Sequence, residues 1–128
     1  MTILNTLFVS KNGRVKRLDL IIPHERLSEV NEVLHKHKVG GMTFYDIKGR
    51  GRAKREPVSV GRGVMRYTPE FGSRTKIEVL VPDSVAKQIV DDVLANLSTG
   101  SASDGKIFVY DVGEAYDIGS KEKEDAAL

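Results

Sequence analysis

The 128-residue sequence predicts an α+β fold in which four strands carry two helices, on three observations. Two stretches repeat apolar residues at helical spacing, four stretches alternate or run in β-branched and aromatic residues, and they follow one another in the order β-α-β-β-α-β. That order is the ferredoxin-like split arrangement: an antiparallel four-stranded sheet with both helices on one face and, here, a long loop between the second and third strands. Each half is a strand-helix-strand unit, so an internal pseudo-repeat is implied.

The elements are read in chain order. Lys16 to Ile22 alternates, with Leu18, Leu20 and Ile22 on one face and Asp19 breaking the apolar run, and Pro23 removes a donor and stops the ladder. From Glu25, the residues Leu27, Val30 and Leu34 fall at helical spacing, with acids early, His35 to Lys38 late, and Gly40-Gly41 as terminator. Met42 to Lys48 reads as the second strand around Phe44, Tyr45 and Ile47, and Arg74 to Val81 as the third, with Ile77, Val79 and Val81 inward. Pro82-Asp83 supplies a turn and an N-cap for a second helix bearing Val85, Ile89, Val93 and Leu97 and ending near Ser98. After a small polar loop, Ser98 to Gly105, the run Lys106 to Tyr110 reads as a fourth strand, buried. Residues 1–15 form an N-terminal extension, 16–112 the folded body with its loop at 49–72, and 113–128 a mixed, acidic tail. Met1 to Val9 is mildly apolar, but its cations follow the apolar stretch instead of preceding it, so it reads as an extra arm or strand and not as a secretory signal.

Composition narrows the function. The chain contains no cysteine, which excludes a disulfide framework, a thiol nucleophile and Cys-ligated zinc, and suits a reducing, cytoplasmic setting. Its apolar runs fall far short of the roughly 20 residues that span a bilayer. The sheet face opposite the helices would present Leu, Phe, Ile and Tyr side chains, which predicts self-association. Charge is concentrated in one place: Lys48 to Arg74 carries eight cationic residues against Glu56 and Glu70, a net of +6 in a chain whose total is +2. A loop as long as Gly49 to Gly72 is uncommon inside a compact domain and marks a binding or regulatory element.

Chemistry-bearing motifs are sparse. Gly100 to Lys106 has the glycine and lysine spacing of a P-loop, but Ile107 stands where a metal-binding hydroxyl is needed and the loop runs into a strand. It reads as a turn or an anion-holding nest. The basic loop and the topology also fit an RNA-recognition module, yet the third strand, Thr75 to Val81, has no aromatic on which a base could stack, so nucleic acid is not the expected partner. His35 and His37 point to different faces near a helix end and complement its dipole; His24 has no evident partner. No triad or paired-carboxylate arrangement emerges, so neither catalytic nor metal-ligating residues are assigned.

Gly41-Met-Thr43, Lys48-Gly-Arg-Gly-Arg52, Arg66-Tyr67, Lys76-Ile-Glu-Val79 and Asp104-Gly-Lys-Ile-Phe-Val109 together resemble the PII family of nitrogen-regulatory signal proteins, over roughly Lys16 to Val112. The resemblance implies a non-enzymatic cytoplasmic homotrimer with ATP or ADP in the clefts between subunits. Its long loops dock on an ammonium transporter or a nitrogen-assimilation enzyme, so membranes are met only through such a partner. By position, Ile21, Thr43, Gly49, Gly51, Arg52, Glu78 and Leu80 would line the nucleotide cleft, with Ser103, Gly105 and Lys106 at the phosphates. In the family, 2-oxoglutarate binds beside ATP and Mg2+; here Arg52, Ala53 and Arg74 occupy the matching places. Arg55, Arg62, Arg66 and Tyr67 fall on the docking and modification segment, together with Ser59.

This chain departs from the family pattern in ways that imply altered ligand sensing. Ala53 replaces a glutamine and offers no oxygen to a hard cation. Asp117 and Gly119 align with two arginines that reach ATP phosphates, exchanging attraction for repulsion, and Ser103 replaces a glycine. Arg74 replaces a lysine while keeping the charge. Arg50, Arg55 or Arg62 would then supply the missing cations, or the fold serves as a scaffold whose ligand control is lost.

Overall fold

The computed structural model describes residues 14–51, 56–60 and 65–128. In chain order the strands are β1 (Val15–Ile22), β2 (Thr43–Gly49), β3 (Val58–Val60), β4 (Met65–Tyr67), β5 (Gly72–Pro82) and β6 (Lys106–Val112). The helices are α1 (Leu27–Lys36) and α2 (Asp83–Leu97), with short 3-10 turns at His24–Arg26 and Glu124–Ala127. The main sheet has the order β2-β5-β1-β6 with every neighbouring pair antiparallel, so the expected split fold is present. The extension proposed for Met1 to Val9 lies outside the described residues.

Period-two alternation on the central strands builds the core. Leu18, Leu20 and Ile22 from β1 and Ile77, Val79 and Val81 from β5 face the helices and are buried with Val30, Val33 and Leu34 of α1 and Ala86, Ile89, Val93 and Leu97 of α2.

Four details differ from the sequence reading. The first helix does not stop at Gly40-Gly41: Lys38 adopts a left-handed φ of 61° just past the C-cap His37. There Val39 donates its amide to Leu34 O and Lys38 to His35 O, both at 2.9 Å, a Schellman closure that packs Val39 on the core. Pro82-Asp83 is not a turn with a side-chain cap; β5 runs straight into α2, and the Asp83 amide is satisfied by Arg14 O at 2.8 Å. The run Lys106 to Tyr110 is not buried: β6 is a sheet edge, where Ile107 reaches the core while Phe108, Val109 and Tyr110 remain 43 to 50% exposed. Only the inner flank of an edge strand has a neighbour within one chain. Finally, the long insert is not structureless, since β3 and β4 pair as a two-stranded ribbon and Gly49 opposite Gly72 closes its base.

The face turned away from the helices is mixed and not apolar throughout. Its rim holds the anticipated Leu80, Phe108, Tyr45 and Tyr110, but its centre holds Arg17, Asp19, Lys76 and Glu78. Asp19 is 1% exposed and sits directly opposite Glu78 across β1 and β5, a like-charge pair that would repel if left alone. Cations offset it. Arg17 Nη2 donates to Asp19 Oδ2 at 3.1 Å, and Lys76 Nζ lies 3.7 Å from Asp19 and 3.6 Å from Glu78. Arg17 Nε approaches Asp19 Oδ1 at 3.1 Å without hydrogen-bond alignment, so that contact is coulombic.

Candidate functional site

The site residues expected from sequence fall into two groups that extend toward different ends of the sheet and come nearest where Ile21 stands diagonal to Glu78 across β1 and β5. At the end where β1 finishes and β6 begins, Ile21 pairs with Lys106, and Arg74 near the start of β5 donates from Nη1 to Ser103 O at 3.1 Å. Gly49 pairs with Gly72 beside the start of β5, and Gly51 follows it at the base of the insert. Gly105 has φ 122°, and a Cβ there would stand 2.2 Å from Ile21 O, so this close approach of loop to strand requires glycine.

The preceding loop is organised around Asp104. Its carboxylate accepts the Thr99 amide and hydroxyl, both at 2.6 Å, and the Ser101 amide at 3.3 Å. Hydrogen bonds from the Thr99 hydroxyl first, then from its amide, hold the Asp104 carboxyl below the usual carboxylate range. Several amides that an anion nest would use are therefore engaged by the loop's own acid. Lys106 has no ion-pair partner among the described residues and remains the local free cation, at the mouth of a cavity of about 500 Å3 shared with Gly105.

At the other end of the sheet, Thr43, Glu78 and Leu80 line a second cavity of about 560 Å3 between the loop after α1 and the tail residues Asp125 and Leu128. Thr43 and Glu78 are cross-strand partners. The Tyr45 hydroxyl donates to Glu78 Oε2 at 2.7 Å, and this bond, ahead of Lys76 and Arg17, keeps the Glu78 carboxyl below its ordinary range against the opposing effect of burial. The cavity wall is braced by His37, whose Nε2 lies 2.5 Å from Asp92 Oδ2 on α2, with Lys36 adding a contact to the same oxygen at 3.3 Å. Along β5, Arg74 and Leu80 are six residues apart, about 20 Å at 3.3 Å per residue, while Lys76, the cross-strand partner of Ile21, is two residues from Glu78.

Other expected residues lie elsewhere. Arg52, Ala53, Arg55 and Arg62 fall outside the described residues; Arg66 belongs to β4, and Tyr67 is exposed. Arg50 forms an exposed ion pair with Glu70 at 2.6 Å across the base of the insert, which commits the charge that was expected to serve a ligand. Asp117 accepts the Ser120 amide at 2.8 Å, and this bond lowers its carboxyl below the usual range, so it caps a tail turn.

Two groups escaped the sequence reading. His24 has a partner after all: its Nδ1 lies 3.0 Å from the Thr75 hydroxyl, which also donates to Asp46 at 3.4 Å. This is not a nucleophilic triad, because Thr75 is fully buried and the carboxylate engages the hydroxyl instead of orienting the imidazole. Asp19 read as an interruption of an apolar run; the local signal was Arg17, two residues earlier and therefore on the same face of β1.

A split βαβ body, a two-stranded ribbon inserted between β2 and β5, and two cavities define the class as a small ferredoxin-like domain with an inserted ribbon. The comparisons narrow this class. The family model described as Nitrogen regulatory protein P-II matches residues 15–122. Nitrogen regulatory protein P-II 1 of Escherichia coli is 38% identical over 114 residues, covering 89% of this chain and 100% of that one. The P-II protein of Haemophilus influenzae is 33% identical over the same coverage. Among solved structures, B. subtilis GlnK aligns with a TM-score of 0.71 at 27% identity, covering 91% of this chain and 100% of that one. The structure of its ATP complex also aligns at 0.71, with 24% identity and the same coverage. The chain belongs to the P-II family and is a nitrogen-regulatory signal protein, not an enzyme. No described helix is long and apolar enough to cross a membrane.

Proposed function

We propose that the protein is a homotrimeric sensor of adenine nucleotide whose basic ribbon docks on a nitrogen-metabolism target, such as an ammonium transporter or an assimilation enzyme. The carrying observation is the division of the site. Thr43, Glu78 and Leu80 line one cavity while Arg74, Ser103, Gly105 and Lys106 gather about the loop before β6, and in this reading the two groups are joined on one ligand by neighbouring copies. ATP or ADP would place its base in the first cavity and its phosphates against the neighbour's Lys106. The aromatic residues and the exposed β6 edge supply apolar surface for such an assembly. Carboxylates at the centre of the open face, Asp19 and Glu78, disfavour a nucleic-acid backbone there.

Calorimetry with ATP, ADP and AMP, with and without Mg2+ and 2-oxoglutarate, tests the sensing; silence in every titration defeats it. A mixing experiment tests the shared site. Lys106→Ala and Glu78→Gln each spoil one half, so co-assembled copies should recover some binding that neither variant has alone. Removing Arg55 to Arg66 should abolish target capture and leave the trimer intact.

A second reading, a scaffold with lost or altered ligand control, is favoured by Asp117 being committed to its own turn. Target capture that ignores nucleotide, Mg2+ and 2-oxoglutarate alike would select it.

A further inference from the structure

We propose that Tyr45 is a positioning residue that sets ligand selectivity, by fixing the Glu78 carboxylate at one oxygen and leaving the other free to accept a hydrogen bond from the ligand. The inference rests on the nucleotide reading above and adds a residue to it. Tyr45 follows Thr43 by two positions on β2, so both lie on the open face of the sheet, where Thr43 opposes Glu78 and Tyr45 opposes Lys76 on β5. Both neighbours of the carboxylate engage the same atom: the Tyr45 hydroxyl donates to Oε2 at 2.7 Å, and Lys76 Nζ stands 3.6 Å from Oε2. Among the described residues nothing donates to Oε1, which is left as an acceptor in a carboxylate lining the 560 Å3 cavity.

Such a group selects for a hydrogen-bond donor and against an acceptor, because a bare carboxylate facing a ligand carbonyl repels it and leaves both atoms unpaired. On an adenine nucleotide that donor is the exocyclic amine or the ribose 2′-hydroxyl. Tyr45 matters because a carboxylate fixed at one oxygen loses the rotational freedom that would otherwise dilute this choice. Lys76, 6.0 Å from the Tyr45 ring centroid, supports the same geometry from the adjacent strand.

The test compares wild type, Tyr45→Phe and Glu78→Gln in titrations with ADP, inosine 5′-diphosphate, which lacks the amine, and 2′-deoxy-ADP, which lacks the hydroxyl. Tyr45 is 42% exposed, so Tyr45→Phe should melt like wild type. Its ADP affinity should fall about three- to tenfold, and that of Glu78→Gln about ten- to a hundredfold, the worth of a hydrogen bond to a charged group. Against whichever analogue lacks the donor, both penalties should vanish. An equal Tyr45→Phe penalty on all three ligands would make the residue merely structural and overturn the inference, as would no penalty on any. Wild-type protein that binds none of the three instead defeats the nucleotide reading, and this proposal with it.

Discussion

On the helix side of the sheet, Leu18, Leu20, Ile77 and Val79 are buried to 2% exposure or less by groups that all come from the same chain. One residue along, the same two strands turn Arg17, Asp19, Lys76 and Glu78 the other way, in a charged network ringed by Tyr45, Phe108 and Tyr110. The first side is complete within one copy and is specified by hydrophobicity alone. The second pairs opposite charges within the copy but leaves its aromatic rim open, the arrangement expected where specificity of pairing matters more than strength.

The largest blow to the closed side is a cavity. Ile89→Ala removes a fully buried side chain between the helices and the sheet and should cost about 3 to 4 kcal/mol, read from urea unfolding. A loss below about 1 kcal/mol would mean that α2 is not seated as described. On the open side, Asp19→Ala should cost less, about 2 kcal/mol. Its loss strands Arg17 and Lys76 near each other, but both retain access to water. If Asp19→Ala proved as damaging as Ile89→Ala, the charged centre would be holding the monomer together and not merely dressing one face of it.

This contrast explains what could be read from the sequence. Alternation at Leu18, Leu20, Ile77, Val79 and Val81 prescribes which face meets the helices, because an apolar side chain has one favourable destination. A charged residue on the opposite face has several, and its partners are on other strands. Asp19 with Lys76, and His24 with Thr75, are pairs set by register across β1, β5 and the turn that follows β1, information that no local window contains. The apolar run Ile107 to Tyr110 misled for the same reason: its composition reports that the residues seek cover, not which molecule provides it. The candidate site residues were legible one by one, but their grouping about two cavities followed only from strand order and register.

A smaller, pH-dependent effect belongs to the seam joining the loop after α1 to α2. Hydrogen bonds from His37 first and Lys36 second depress the Asp92 carboxyl below its ordinary range. A group with a depressed folded pKa contributes stability above its unfolded value, near pH 4, and loses that contribution as pH falls through the folded value. Urea midpoints of wild type should therefore decline from about pH 5 to pH 3 more steeply than those of Asp92→Asn, and the curves should converge at the acid end. Parallel curves would show that the close His37–Asp92 contact does no thermodynamic work at this wall of the cavity.

The smallest change tests whether the two sides make opposed demands. Lys38 holds a left-handed φ of 61° at the end of α1, a position where glycine is the relaxed choice, and it also lines the cavity containing Glu78. Lys38→Gly should relieve the strain and raise stability by about 0.5 to 1 kcal/mol, since the Schellman bonds of Lys38 and Val39 use backbone atoms that the substitution keeps. The same change takes a cation from the cavity wall. If the charge serves an anionic ligand, the more stable variant should bind ADP less tightly, and strain at Lys38 is retained for binding. Unchanged affinity with the gain in stability would place Lys38 with the closed side of the molecule, as an unrelaxed helix end and nothing more.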